Sequence, residues 1–131
     1  MIQTIQLHGT DKQLYKIVAP LVMDPEVLKL NNNYPFKTTD KFTWFIAASG
    51  KHVVGFLPVE RRAKEAIINN YYMGKDQEEA LSLLLVDAIA AFDTDKTLIA
   101  VVQVQHQPVF EKHGFIVEKA WKLYVKMRRD E

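Results

Sequence analysis

The feature that most constrains the fold is a leucine-rich segment between two apolar runs. Residues 66–73 and 97–104 are rich in β-branched and aromatic side chains, which is typical of strands. Between them apolar residues recur at helical spacing and predict one buried, amphipathic helix. The residues of that stripe are Leu81, Leu84, Leu85, Ala88, Ile89 and Phe92. Strand, helix and strand in this order predict a βαβ unit whose two strands are parallel neighbours.

The N-terminal third predicts one strand and two short helices. Ile2, Ile5 and Leu7 are apolar with polar residues between them, a pattern that suits a short first strand. Asp11, or the threonine before it, can cap a helix that Pro20 ends. A second helix follows Asp24, since the next residue is a proline suited to a first helical turn.

Antiparallel strands account for most of the remaining chain. A glycine-containing turn joins residues 41–48 to residues 52–60, which predicts a β-hairpin. Pro58 cannot donate to a ladder and implies an exposed edge or a bulge at that point. A short helix around residues 108–112 precedes two strand-like runs that predict a terminal hairpin over residues 116–127.

Composition limits the classes of function. A chain of 131 residues fits a single domain, here residues 1–131. The net charge of +1 gives no support for a nucleic-acid or anionic-membrane partner. The absence of cysteine excludes disulfides, thiolate metal sites and a cysteine nucleophile, and the four histidines have no spacing that suggests a metal site. We see no signal peptide and no apolar run long enough to span a bilayer, and we expect a cytoplasmic protein.

The order of elements, together with three local motifs, resembles the GNAT superfamily of acyl-CoA-dependent N-acyltransferases. The motifs are "GKHVVGFLPVE", "GKDQEEALSLLL" and "FEKHGF", and the last is the most specific. The resemblance covers nearly the whole chain. It implies an α+β, three-layer fold with a mixed, mostly antiparallel sheet, a central parallel strand pair that splays apart, and flanking helices.

The resemblance also implies acetyl-CoA as acyl donor, bound in that splay, and no metal. The pantetheine would pair with the strand backbone near Tyr72, and the diphosphate would lie at the N-terminus of the leucine-rich helix, where unpaired N–H groups favour anions. The cofactor-binding residues it implies are Tyr71, Tyr72, Met73, Gly74, Lys75, Gln77, Glu79, Ala80, Gln103 and Phe110.

The loop of this chain departs from the family pattern. In the best register, Glu78 falls where a glycine would let backbone and phosphate come close. Asp76 as N-cap with Glu79 three residues later is typical of a capping box. Two interpretations therefore stay open: a loop that holds an anion with the help of Lys75, and a loop that only caps the helix.

The catalytic residues are the second departure. Many family members use a tyrosine, where this chain has Phe110, to protonate the departing thiolate. We consider Tyr72 and His106 as catalytic substitutes, together with Tyr71 and water, although such a histidine is more often a surface or capping residue. Glu65 and Glu60 are candidate bases for the amine, with solvated carboxylates as the alternative.

The acceptor is predicted only as a class, a small-molecule or peptide amine. Tyr34, Phe36 and Glu60 are its predicted binding residues. The leading hypothesis is an N-acetyltransferase that works by direct attack of the amine, and the alternative is a catalytically degenerate binding or regulatory protein of the same fold. Edge strands at the terminal hairpin would suit a homodimer.

Overall fold

The computed structural model describes residues 1–31, 35–92 and 96–129. Within these ranges the chain forms eight strands, four α-helices and one 3₁₀ turn at Val104–His106. In chain order the elements are β1 (Ile2–His8), α1 (Lys12–Val22), α2 (Pro25–Leu30), β2 (Phe42–Ser49), β3 (His52–Arg61), β4 (Glu65–Ile68), β5 (Tyr72–Met73), α3 (Glu78–Phe92), β6 (Thr97–Gln103), α4 (Gln107–Lys112), β7 (Ile116–Ala120) and β8 (Tyr124–Arg129).

The described strands form one mixed sheet in the order β1-β2-β3-β4-β6-β8-β7, with β5 paired to β3. The β4–β6 pair is parallel, and the other strand pairs are antiparallel. α3 connects the two halves of the parallel pair, as the strand–helix–strand pattern predicted. The predicted fold class, α+β with a central parallel pair in a mostly antiparallel sheet, is confirmed.

A bulge divides the predicted strand over residues 66–73 into β4 and β5, so the prediction of one continuous strand was wrong. Three residues separate Ile68 from Tyr72, whereas two separate their partners Phe56 and Val59 on β3. The extra residue is accommodated where Asn70 adopts a φ of 52°. Asparagine tolerates this left-handed conformation better than most residues, because its short polar side chain finds local hydrogen bonds.

Pro58 lies opposite this bulge. The Arg62 N–H, directly after β3, donates to the Glu65 carbonyl, and the Val54 carbonyl of β3 accepts from the Gly74 N–H. The even-numbered residues of β3 therefore direct their backbone groups to β4 and β5. Pro58 therefore faces the stretch where the ladder is interrupted, and it has no N–H that would be left unpaired there. The bulge predicted at Pro58 is confirmed, while the edge alternative is not, since β3 is an interior strand.

Two cores cover the two faces of the sheet. The larger one lies under α3 and α4, and the residues of the predicted stripe are fully buried in it except for Phe92 at 6% exposure and the partly buried Ile89. The smaller core lies under α1, where Leu14 and Val18 pack on Trp44 and Phe56. Each face of the sheet thus has its own hydrophobic layer. The bulge lies in the sheet itself, between β4 and β5.

α1 extends three residues beyond its predicted end. Pro20 lies inside the helix, which ends at Val22, and the Met23 N–H closes the last turn on the Ala19 carbonyl. A proline removes only one hydrogen bond here, and the buried face of the helix continues past it.

No helix in the described ranges is long and apolar enough to cross a membrane.

Candidate functional site

The bulge opens a cleft of about 340 Å³ at the first βα turn, between β5 and the end of β6. It is closed on one side by α2, through Val27, Leu30 and Asn31. Seven of the predicted cofactor-binding residues and one further predicted catalytic residue line it: Tyr71, Tyr72, Met73, Gly74, Lys75, Gln77, Gln103 and His106. The sequence therefore located the cleft, although it did not indicate the contribution of α2.

One wall of the cleft is the free edge of β5. The Gly74 N–H donates to the Val54 carbonyl across 2.8 Å, so Gly74 directs its backbone groups to β3. Successive residues of a strand alternate in this respect, which turns the N–H and C=O of Met73 to the opposite edge. Among the described strands β5 pairs with β3 alone, so these groups of Met73 face the cleft and can pair with an extended ligand.

The N-terminus of α3 forms the end of this wall, and Asp76 does not cap it. Asp76 has a φ of 60°, whereas an N-cap residue takes an extended conformation. The helix begins at Glu78, and the Leu81 N–H closes its first turn on the Gln77 carbonyl. The predicted capping box was wrong. In the described part of the chain no side chain accepts from the N–H groups of residues 78–80. Of these three residues only Glu78 lines the cleft, and Ala80 is fully buried. The uncapped end of α3 therefore meets the cleft at Glu78, where an N–H group can face an anion.

The charges of this end are mixed. Lys75 and Glu78 both line the cleft, whereas the exposed Glu79 does not. The carboxylate of Glu78 also acts on a group of the opposite wall, because it raises the pKa of His106 against a larger effect of burial. Glu78 therefore faces into the cleft, beside the positive charge of Lys75.

The opposite wall holds a buried tyrosine–histidine pair. The Tyr71 hydroxyl lies 2.6 Å from Nδ1 of His106 and accepts from the Gln103 N–H across 3.0 Å. Burial raises the pKa of Tyr71 well above its usual value and lowers that of His106. Both groups are therefore neutral near pH 7. His106 is a buried residue at 9% exposure, and the interpretation of it as a surface histidine was wrong.

Tyr72 points to the opposite face of the sheet from Tyr71. Its ring lies 5.6 Å from that of Phe56, which in turn contacts Phe36 edge-on at 5.3 Å. Burial, with a smaller contribution from the Asp24 carboxylate, raises the pKa of Tyr72. Tyr72 consequently keeps its proton at neutral pH and remains able to donate it or to hydrogen-bond.

A second pocket of about 300 Å³ lies on this face, beside the bulge. It brings together two of the predicted substrate-binding residues, Phe36 and Glu60, with Asn69 and Asn70 of the bulge. Glu60 pairs with Arg62, also in this pocket, at 3.1 Å. Tyr34, the third predicted substrate-binding residue, lies outside the described residues.

Four of the residues predicted as catalytic or cofactor-binding lie away from the cleft. Phe110 and Ala80 are fully buried, and the Phe110 ring packs against Tyr71 and Phe115 in the core, so its side chain does not reach the cleft. Glu79 is exposed outside the cleft. Glu65 begins β4 opposite Thr97, at the end of the parallel pair remote from the bulge. The geometry thus offers no support for Glu65 as a base.

Asn70, which lines the second pocket, is a residue that the sequence analysis did not assign to a site. Its side chain accepts from the Asn31 amide across 3.3 Å and so ties α2 to the bulge. The Asn69–Asn70 pair inside an otherwise apolar run was the available signal, since asparagine favours turns and left-handed conformations. Within the described ranges no group of three His, Asp or Glu side chains is placed to hold a metal ion.

No family model matches the sequence, and no curated protein matches it in sequence. Solved structures of the same shape nevertheless cover nearly all of it. Escherichia coli ElaA superimposes with a TM-score of 0.76 at 16% identity, over 99% of this chain and 100% of that one. An acyl-CoA N-acyltransferase from Pseudomonas aeruginosa gives 0.72 at 17%, over 98% and 99%. A GNAT family acetyltransferase from Elizabethkingia anophelis, with acetyl-CoA bound, gives 0.63 at 11%, over 99% and 98%.

The fold class is therefore that of N-acyltransferase structures, with a mixed sheet interrupted beside its parallel strand pair. The chain has the fold of the GNAT superfamily, and the resemblance noted in the sequence is confirmed at the level of the fold.

Proposed function

We propose that this protein is an acyl-CoA-dependent N-acetyltransferase that transfers the acetyl group of acetyl-CoA to an amine. The observation that carries the proposal is the cleft, where a free strand edge leads to an uncapped helix N-terminus. A strand edge suits the two amides of pantetheine, and helix N–H groups suit a diphosphate. Acetyl-CoA would be a co-substrate, and the GNAT-fold neighbour that binds it supports this choice.

Each part of the cleft has a role in this proposal. The N–H and C=O of Met73 hold the extended arm of the acyl donor, and the Met73 N–H or a neighbouring backbone N–H polarises the thioester carbonyl. Lys75 and the first turn of α3 receive the diphosphate. The carboxylate of Glu78 opposes that binding, since like charges repel across the cleft.

The reaction is a direct displacement. The nitrogen of a neutral amine forms a bond to the thioester carbon, the C–S bond breaks with its electrons on sulfur, and the proton lost by nitrogen ends on the CoA thiol. No enzyme nucleophile is required. Holding the two reactants in contact supplies most of the acceleration. The amine, from a small molecule or a peptide, enters from the pocket that contains Phe36 and Glu60.

Calorimetric titration with acetyl-CoA and CoA tests the proposal. We expect binding in the micromolar to millimolar range, followed by release of CoA in the presence of amines. Glu78→Gln should tighten CoA binding by roughly threefold, because it removes one carboxylate from the cleft. Glu79→Gln is the matched control, since it makes the same change on the same helical turn outside the cleft. A wild-type chain that binds neither ligand at millimolar concentration would refute the proposal.

A second candidate function has its own support. Glu78 lines the cleft, and the position of the family's acid is the buried Phe110. Together these two features favour a binding or regulatory protein without turnover. On that hypothesis Glu78→Gly creates or strongly tightens CoA binding and no amine releases CoA from acetyl-CoA. Release of CoA by the wild-type chain, dependent on an added amine, excludes it.

A further inference from the structure

One nitrogen of His106 has a defined partner, and that bond determines where the imidazole proton lies. The Tyr71 oxygen accepts from the Gln103 N–H, so the contact of 2.6 Å to Nδ1 uses the hydroxyl's own proton. Among the described residues, Nδ1 of His106 is the acceptor for the hydroxyl proton of Tyr71. Nδ1 therefore carries a lone pair, and the neutral ring carries its proton on Nε2.

The other nitrogen of His106 opens to the cleft. Nε2 has no hydrogen-bond partner among the described residues. Every buried side-chain nitrogen and oxygen in those residues does have a partner, so Nε2 is not one of the buried atoms. Nε2 is consequently not enclosed by protein, although the histidine as a whole is only 9% exposed. Since His106 lines the cleft, that is where the Nε2–H group is presented.

This N–H group can stabilise negative charge without giving up its proton. A neutral imidazole is too weak an acid to be deprotonated near pH 7, but a fixed and partly buried N–H is a strong hydrogen-bond donor. The Met73 N–H on the facing wall binds the amides and the carbonyl of the extended acyl donor. The Nε2–H group of His106, on the β6 side, is therefore available to hydrogen-bond the sulfur of the acyl donor.

We propose that the Nε2–H of His106 donates a hydrogen bond to the sulfur of the acyl donor as the C–S bond breaks, and that Tyr71 is the positioning residue that fixes this tautomer. The inference rests on the proposed function. The electrons of the broken bond stay on sulfur, the proton that sulfur finally carries comes from the amine through water, and His106 keeps its own proton throughout. The thiolate is thus stabilised by a group other than the missing tyrosine.

The tautomer is tested first, on the protein without ligands. In ¹⁵N-labelled protein, nitrogen chemical shifts and couplings should assign the proton of His106 to Nε2. In Tyr71→Phe, which keeps the ring and removes the hydroxyl, the two tautomers should become mixed. A wild-type His106 protonated on Nδ1 would overturn the proposal, whatever the activity of the protein.

The contact with sulfur is tested by comparing CoA with desulfo-CoA at pH 8.5, where much of the free thiol is ionised. We expect the wild-type chain to bind CoA about tenfold more tightly than desulfo-CoA, because a hydrogen bond to a charged atom is stronger than one to a neutral atom. His106→Met keeps the volume and should abolish that preference. His106→Gln offers an amide N–H near the Nε2 position and should restore part of it.

His113 supplies the control. It is also hydrogen-bonded to a hydroxyl, 2.6 Å from Ser82, and burial likewise lowers its pKa, but it lies outside the cleft. His113→Met should leave the preference unchanged. If wild-type and His106→Met proteins show the same preference while both bind CoA, the inference is wrong and the proposed function stands. If the wild-type chain binds neither ligand, the proposed function fails and the inference with it.

Discussion

α1 and α3 begin in opposite ways, although an aspartate stands near the start of each. At α1 the carboxylate of Asp11 accepts from the Gln13 N–H across 2.8 Å, and Asp24 caps α2 in the same way. At α3 the corresponding aspartate, Asp76, precedes the N-cap position and caps nothing. A carboxylate thus caps α1 and α2, whereas in the described part of the chain no side chain caps the N-terminus of α3 beside the cleft.

Backbone conformation explains the difference. Asp11 has φ −65° and ψ 132°, the extended geometry from which a side chain reaches the N–H two residues on. Asp76, with a φ of 60°, belongs to the turn that follows β5 and does not have the extended backbone of an N-cap residue. An identical residue type is thus a cap or a turn residue according to the conformation that its neighbours impose.

The largest effect is expected when α3 is given a cap. Gln77→Asp places a carboxylate at the N-cap position, where it can accept from the first-turn N–H groups. CoA affinity should fall by tenfold or more, on the order of 1.4 kcal/mol, because the anion site is both occupied and made negative. At the same time the free energy of unfolding should rise by about 0.5–1 kcal/mol.

Gln77→Asn separates the two causes, since asparagine caps without charge. It should give the gain in stability with a smaller loss of affinity. Calorimetry and urea unfolding measure the two quantities on the same proteins. A Gln77→Asp protein that binds CoA as well as the wild type would show that the helix N-terminus is not part of the site.

The existing caps provide an effect of intermediate size. Asp11→Ala should lower the free energy of unfolding by about 1 kcal/mol through loss of the N-cap bond. Asp76→Gly should change it by less than about 0.5 kcal/mol, because no cap is lost and glycine adopts a positive φ without strain. Glycine is used there because alanine would be strained in the left-handed region. Urea unfolding with unchanged m-values checks both, and equal losses would contradict the comparison.

The smallest effect concerns the pKa of His106. Burial holds this pKa below the ordinary value, and the Glu78 carboxylate partly offsets the lowering. Glu78→Gln should therefore lower the pKa of His106 further, because it removes the carboxylate that favours the protonated imidazole. Glu79→Gln should not. NMR titration of the imidazole measures both, and identical shifts in the two variants would place Glu78 outside the cleft.

The same pKa has a consequence for stability. Because the folded-state pKa of His106 is below that of the unfolded chain, the unfolded chain binds the proton first as the pH falls. The free energy of unfolding should therefore decrease as the pH drops below about 6.5, and the decrease should be smaller in His106→Gln. Urea unfolding between pH 5 and 7 measures it.

The sequence predicted most of the fold because its strongest patterns are long. The stripe from Leu81 to Phe92 and the apolar run of β6 required a parallel pair joined by a buried helix. Pro58 even marked the bulge, since an amide without a hydrogen belongs opposite an interruption. The prediction that Pro20 ends α1 was wrong, because burial of the apolar face of α1 stabilises the helix by more than one missing hydrogen bond costs.

Most of the predicted cofactor-binding residues meet in one cleft, but the contacts between them were not predicted. Tyr71 and His106 are 35 residues apart and meet only because the bulge at Asn70 turns one tyrosine into the core and the next to the other face. Neither pairing nor tautomer follows from local spacing. Phe110 was assigned by motif to the ligand, but packing against Tyr71 places it in the core.

The hydrogen bond from the Gln103 N–H to Tyr71 has a further consequence for the sheet. An interior strand normally obtains a partner for each amide from the next strand, and separating two strands leaves amides unsatisfied. Here the Tyr71 hydroxyl replaces the backbone carbonyl of a neighbouring strand as the acceptor for the Gln103 N–H. The gap between β5 and β6 therefore leaves no unsatisfied amide at Gln103. Since β5 and β6 are not paired, a ligand entering the cleft does not have to separate them.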